Sequence, residues 1–167
     1  MSQITSLTPW IARKATRDRG ENLVHIQIKL EDLLADDGTV WANGEHVGLC
    51  EIPFGSTVLD CKTIITTGSG SSSTATIGVL GFTSFQDGAF TDSGSTGNDV
   101  DGLASINVNT TTLQVGTGIM LGKKLDENVF SDADELNKPL YVTMEAATLA
   151  GTSASIVGYI NLIVAIP

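Results

Sequence analysis

Residues 23–30 read LVHIQIKL, with Val24, Ile26, Ile28 and Leu30 alternating with His25, Gln27 and Lys29. A period of two sends successive side chains to opposite faces of an extended chain, so this segment is a half-buried β-strand. The same logic extends outward in both directions. Downstream, Asp36-Asp37-Gly38 and Asn43-Gly44 are turn signals that bracket a short strand or wide hairpin at Thr39–Ala42. His46–Ile52 and Thr57–Thr66 are rich in Val, Ile, Leu, Cys and Thr, and Pro53-Phe54-Gly55-Ser56 punctuates them as a corner or turn. Gly68–Ser73 is a small, polar loop, and Thr74–Leu80 resumes as a strand.

From Gly81 to Gly102 no period holds, and Phe82, Phe85 and Phe90 sit among Gly, Ser, Thr, Asp and Asn. A long surface excursion anchored by its aromatics is expected. Short β-prone runs follow at Ala104–Val108, Thr112–Val115 and Ile119–Leu121. Asp126–Leu136 is the stretch most compatible with a helix, with Ser131 as a candidate N-cap and Pro139 as its stop. Leu140–Ala146 alternates again, and Ala154–Ile166 is apolar on both faces, as in a central strand or an interface strand.

About eight strand candidates, 20 threonines, 18 glycines as turn markers and no long amphipathic helix predict an all-β fold, an antiparallel β-sandwich or Greek-key barrel with long surface loops. An α/β doubly wound fold needs crossover helices that the sequence lacks. The chain of 167 residues suits one core, and at 41% hydrophobic and 17% charged it is too apolar to remain disordered. The division expected is a basic N-terminal arm over 1–22 and a single β-sandwich over 23–167. No apolar run is long enough for a membrane-spanning helix and no signal-peptide pattern opens the chain, which predicts a soluble protein made without export.

Charge is unevenly distributed. The net charge is −10, yet residues 1–22 carry Arg13, Lys14, Arg17 and Arg19 against Asp18 and Glu21 and balance at +2, leaving −12 on residues 23–167. An acidic body repels phosphate, so nucleic acid over the main surface is not expected. The arm is either a solvated lead-in or a segment that docks on an acidic partner surface.

Only His25 and His46 are available as imidazole bases, and neither adjoins a nucleophile elbow. Cys50 and Cys61 match no zinc-ligand or redox spacing; core packing is expected, although a four-residue hairpin loop would set position 50 opposite 61. Gly116–Lys124 fails the phosphate-loop pattern in both its glycine spacing and its final residue. Asp87, Asp92, Asp99 and Asp101 lack the later Glu of an EF-hand loop, so the excursion is read as solvated turns, with an ion or a receptor as the open alternatives. The expectation is a protein that is not an enzyme and uses no metal and no cofactor.

One combination remains: Ile52-Pro53-x-Gly55-Ser56-x-Val58, the strand TATIGV at 74–79, an Asp/Phe loop, and Gly158-Tyr159-Ile160-x-Leu162-x-Val164 near the end. It resembles small virion structural proteins of tailed bacteriophages over about residues 24–166. The length of the Asp/Phe insertion and the acidity of the body depart from that group. The resemblance implies a jelly roll that decorates or cements the outer surface of the head, made in the host cytoplasm and located on the virion. The partners it implies are the major capsid protein and copies of the chain itself, typically as a trimer. Trp and Arg are enriched at interface hot spots, so Trp10, Arg13, Lys14, Arg17 and Arg19 are the candidate attachment residues. The competing class is a β-sandwich module of a head fibre or tail that binds a receptor or carbohydrate through residues 81–102.

Overall fold

The structure, a computed structural model, describes residues 23–33, 46–68, 73–86, 89–92, 94, 96–148 and 156–167. Eight strands form two antiparallel four-stranded sheets. The first sheet has the order β1-β10-β3-β8, where β1 is Leu23–Lys29, β3 is Thr57–Thr67, β8 is Leu113–Val115 and β10 is Val157–Ala165. The second has the order β2-β9-β4-β7, where β2 is His46–Ile52, β4 is Thr74–Leu80, β7 is Asp99–Asn107 and β9 is Leu140–Thr148. The remaining strands, β5 (Phe85–Gln86) and β6 (Ala89–Phe90), pair as a small separate hairpin. Among the described residues helical structure is confined to 3-10 turns at Leu30–Leu33 and Phe82–Ser84.

The alternation read from residues 23–30 sets the first sheet. Val24, Ile26 and Ile28 lie opposite Val164, Leu162 and Ile160 of β10, and all six turn inward. Their neighbours His25, Gln27 and Lys29 lie opposite Ile163, Asn161 and Tyr159 on the outer face. β10 is bonded on its other side to β3, so the apolar final segment is a central strand. Gly158 shows why it starts where it does. A Cβ there would stand 2.2 Å from the Ile64 carbonyl oxygen, and only glycine lets β10 approach β3 closely at this bulge.

From the second sheet come Val47, Leu49, Cys50, Ile52, Ala75, Ile77, Val79, Leu103, Ile106, Leu140, Val142 and Met144, closing on the first sheet's inner face in a single interior. Pro53–Ser56 is the corner that carries the chain between them. Gly55 sits at φ 84°, the Ser56 amide donates to the Pro53 carbonyl at 3.1 Å, and the Ser56 hydroxyl donates to the same oxygen at 2.6 Å. Leu125 clamps the corner by accepting from the Gly55 amide and donating to the Ser56 carbonyl.

Because β2 and β3 belong to different sheets, no hairpin forms at this corner, and Cys50 and Cys61 are not ladder partners: Val142 lies opposite the first and Leu162 opposite the second. Both thiols are free and buried in the interior. The helix expected over 126–136 does not form either. Two separate turns stand there, with Val129 and Phe130 amides donating to the Asp126 carbonyl and the Glu135 amide to the Asp132 carbonyl. Phe130 and Glu135 are each drawn fully into the body, at a spacing that one continuous helical face does not serve. Ile119–Leu121 is likewise a turn, while β7 begins five residues before the run expected at Ala104. The segment Thr39–Ala42 lies outside the described residues.

Burial raises the pKa of both thiols. Cys61 is pushed up to about 12, mainly by loss of water and further by the Asp60 carboxylate. Cys50 is raised by burial first, then by Cys61 and Glu51. A thiol with a higher pKa folded than unfolded costs nothing below its unfolded value of 9.0. Above it the unfolded chain releases a proton that the folded chain keeps, so stability falls with rising pH by at most about 1.4 kcal/mol per unit for each thiol. Native protein should therefore resist thiol-specific reagents until denaturant is added. Its stability should also decline more steeply above pH ~9 than that of a Cys50→Ala/Cys61→Ala variant, as read by chemical unfolding at stepped alkaline pH; equal slopes would place the ionising groups elsewhere.

Candidate functional site

Two surfaces of the sandwich are built by more than core packing. The first is the excursion after β4. Phe85 and Phe90 face each other across the β5–β6 hairpin with ring centroids 4.6 Å apart, and both reach Tyr141 of β9, at 5.4 and 5.3 Å. With Leu80 and Val100 they make a satellite cluster separate from the main interior. The expected aromatic anchoring is thus present, with Phe85 and Phe90 as the anchors. Phe82 instead stays exposed beneath the Lys138 ammonium, which lies 5.3 Å from the ring centroid.

Carboxylates from the 126–139 turns hold the excursion in shape. Glu135, with no exposed surface, accepts the Phe82 amide at 2.5 Å and the Thr83 amide at 3.0 Å, and also the Thr83 hydroxyl. Those amides open the 3-10 turn at Phe82–Ser84, whose N-cap Gly81 has no side chain to serve them. Asp132 accepts the Thr96 amide at 2.7 Å and the Thr96 hydroxyl at 3.1 Å. Asn98 completes the frame by accepting from the Gly81 amide at 2.8 Å and donating to the Ser84 hydroxyl at 2.7 Å and the Asp92 carbonyl at 3.1 Å. Gly97, at φ 110°, passes so near the Val129 carbonyl that a Cβ would come within 2.1 Å of its oxygen. None of these partnerships is announced by local sequence, since donor and acceptor lie up to 53 residues apart.

The second surface is the outer face of the first sheet. Its centre is polar: the Asn161 side-chain oxygen accepts from Gln27 at 3.1 Å and meets the His25 Nε2 at 3.3 Å, and Lys62 pairs with Asp60 at 2.7 Å. Its β8 flank is apolar. Leu113 is 54% exposed and Val115 55%, and the row continues from Leu113 to Ile64 and Tyr159. Ile119, just beyond β8, is 71% exposed.

The residues considered for chemistry are scattered. His25 lies on the outer face of the first sheet, His46 is buried in β2 opposite Glu145 with its Nδ1 unpartnered, and the thiols are interior. Among the described residues no three His, Cys, Asp or Glu side chains gather as a metal site. Asp99 is shifted upward by burial first and then by its hydrogen-bonded neighbour Asp101, with Lys123 opposing. The glycines of 116–118 serve close packing: Gly116 donates to the Cys61 carbonyl and Gly118 to the Leu103 carbonyl, with no room for a Cβ at Gly118. No described helix is long and apolar enough to cross a membrane. Trp10, Arg13, Lys14, Arg17 and Arg19, together with Asp87 of the excursion, lie outside the described residues. Comparison with family models, with curated proteins and with solved structures finds no match for the chain.

Glu135 offers a direct test of how the excursion is braced. Replacing it with Ala strands two backbone donors beside a cavity and should lower stability by about 3 kcal/mol, with Glu135→Gln costing less because it retains one acceptor. Amide exchange at Phe82 and Thr83 should accelerate in both variants, and a wild-type exchange pattern in Glu135→Ala would show that the brace lies elsewhere.

Proposed function

We propose that this chain is a virion structural protein that decorates the head of a tailed bacteriophage, acting by surface burial and not by catalysis. The reading rests on one observation above the others. Successive strands of the two large sheets alternate between them, except at β4 and β7, and the orders β1-β10-β3-β8 and β2-β9-β4-β7 are those expected of two interlocked Greek keys. That order supports a jelly roll, the architecture the resemblance implies. The corner at Ile52–Val58 and the close strand contact at Gly158 supply physical reasons for two of the motifs on which the resemblance stands.

A decorating protein needs a rigid block and a means of attachment. Specific attachment takes about 1,200–2,000 Å² of total buried surface. The basic segment with Trp10, Arg13, Lys14, Arg17 and Arg19 suits an acidic shell surface, giving up its chain entropy on binding. In this reading the capsid protein is the partner, the protein self-associates, with the trimer as the form the resemblance implies, and the virion surface is its location.

Mixing the full chain with heads of the encoding phage that lack it should give saturable, regularly placed density on the outer shell by electron microscopy. Removing residues 1–20 should lower occupancy severalfold by co-sedimentation. Heads that stay bare with the full chain overturn the decoration reading, and full occupancy by the truncated chain overturns the tether.

A receptor- or carbohydrate-binding role for a head fibre or tail module is favoured by a different observation, the braced excursion presenting Phe82 and Lys138 at its surface. Glycan or host-cell binding that disappears with Phe82→Ala would select it over decoration.

A further inference from the structure

We infer that β8 is a self-pairing edge, joining two copies of this chain through antiparallel β8–β8 contact across a two-fold axis. Four strand edges close the two sheets: β1, β8, β2 and β7. Natural sheets protect such edges with charge, proline or cover. β1 carries Lys29, β2 carries Glu51 and is largely buried, and β7 carries Asp99 and Asp101. Among the described residues β8 has no such protection. From Thr110 to Ile119 there is no charged residue and no proline, and Leu113, Val115 and Ile119 stand more than half exposed.

Hydrogen-bond direction points the same way. The Gly116 amide donates to the Cys61 carbonyl of β3, so by the alternation of an antiparallel ladder Leu113 and Val115 direct their amides and carbonyls away from β3. The pattern is also self-complementary. A two-fold axis at Gln114 sets Leu113 against Val115 of the second copy and Val115 against its Leu113, both as hydrogen-bonded pairs with apolar side chains on one face. Ile64, beside Leu113 in the register, extends that apolar row. Gln114 itself is not consumed, because its side-chain amide is engaged with the Asn107 backbone, accepting at 2.7 Å and donating at 2.8 Å.

Charge selects a second copy's approach as well. Residues 23–167 carry −12, so two bodies repel over most of their surfaces, and an uncharged edge is where contact costs least. The strand is only three residues long, and the contact falls well below the roughly 800 Å² per partner of a standard interface. Association through it is therefore reversible and concentration-dependent. It gives a two-fold dimer in place of the three-fold assembly implied by the resemblance, and it is independent of whether the protein decorates a shell.

Sedimentation of the purified full chain from micromolar to near-millimolar concentration tests this. The expected result is a monomer–dimer equilibrium that Val115→Lys weakens about tenfold or more, and that Leu23→Lys at the β1 edge leaves unchanged. Near-ultraviolet circular dichroism of each variant checks that folding is intact. Register is tested by cross-linking: Leu113→Cys mixed with Val115→Cys should form a disulfide dimer under diamide faster than either variant alone, while the native thiols stay buried. A monomer at every concentration overturns the inference. So does a trimer, a dimer insensitive to Val115→Lys, or cross-linking in which either single variant alone matches the mixture.

Discussion

The structure depends on β10 lying between β1 and β3. Its inner residues Ile160, Leu162 and Val164 are the floor of the shared interior, and among the described residues it is the only strand partner of β1. Residue 23 is paired with residue 165, so the first sheet cannot close until nearly the whole chain is present. Pairing across such a sequence distance forms only after the entropy of a long loop has been given up, which makes this a topology of slow folding. The cost is recovered because one strand serves two neighbours. β10 brings both ladders and the central part of the apolar layer into place together, and Gly158 permits its close approach to β3.

What a sequence conveys about such a fold follows from the range of each signal. Alternation is local, so β1, β4, β9 and β10 were legible as strands from their own residues. The corner at Pro53–Ser56 was legible as a break in the chain, but whether a break returns to the same sheet or crosses to the other is decided by partners elsewhere. Cys50 and Cys61 would face each other only if the break were a hairpin; they belong to opposite sheets, and both sit in the interior as core packing predicts. The 126–136 segment does not form a helix for a related reason. Its composition suits a helix, but Asp132 and Glu135 are committed to backbone donors at Thr96, Phe82 and Thr83, and Phe130 is committed to the interior. Tertiary demands on alternate turns outweigh a propensity worth only tenths of a kcal/mol per residue.

The treatment of buried polar groups is uneven, and the contrast is informative. Glu135 is fully enclosed and faces the Phe82 and Thr83 donors, in an arrangement that gives the orphaned amides of a 3-10 turn side-chain acceptors. By contrast Thr63 in the interior and Thr143 and His46 in the second sheet bury a polar atom with no partner. Each such group costs about 1–3 kcal/mol relative to a satisfied one. Threonine earns its place in these strands through its branched β-carbon, which suits the pleated backbone, more than through its hydroxyl. The sandwich accepts that penalty in its sheets, whereas Glu135, Asp132 and Asn98 are satisfied in the loops, where shape is not fixed by a ladder.

That division bears on how the molecule meets others. A regular sheet edge offers a repeated pattern of donors and acceptors that any extended strand can read, so its selectivity must come from charge and side-chain register. A braced loop offers a unique shape that only a matching surface can read. β8 belongs to the first kind, being short, neutral and apolar, and it suits a partner with the same properties, which another copy of the chain supplies. The excursion belongs to the second kind, with Asp132, Glu135 and Asn98 fixing its course and Phe82 left outward. Because the edge lies in the first sheet and the excursion packs on Tyr141 in the second, self-association and recognition of a different partner draw on separate parts of the same block.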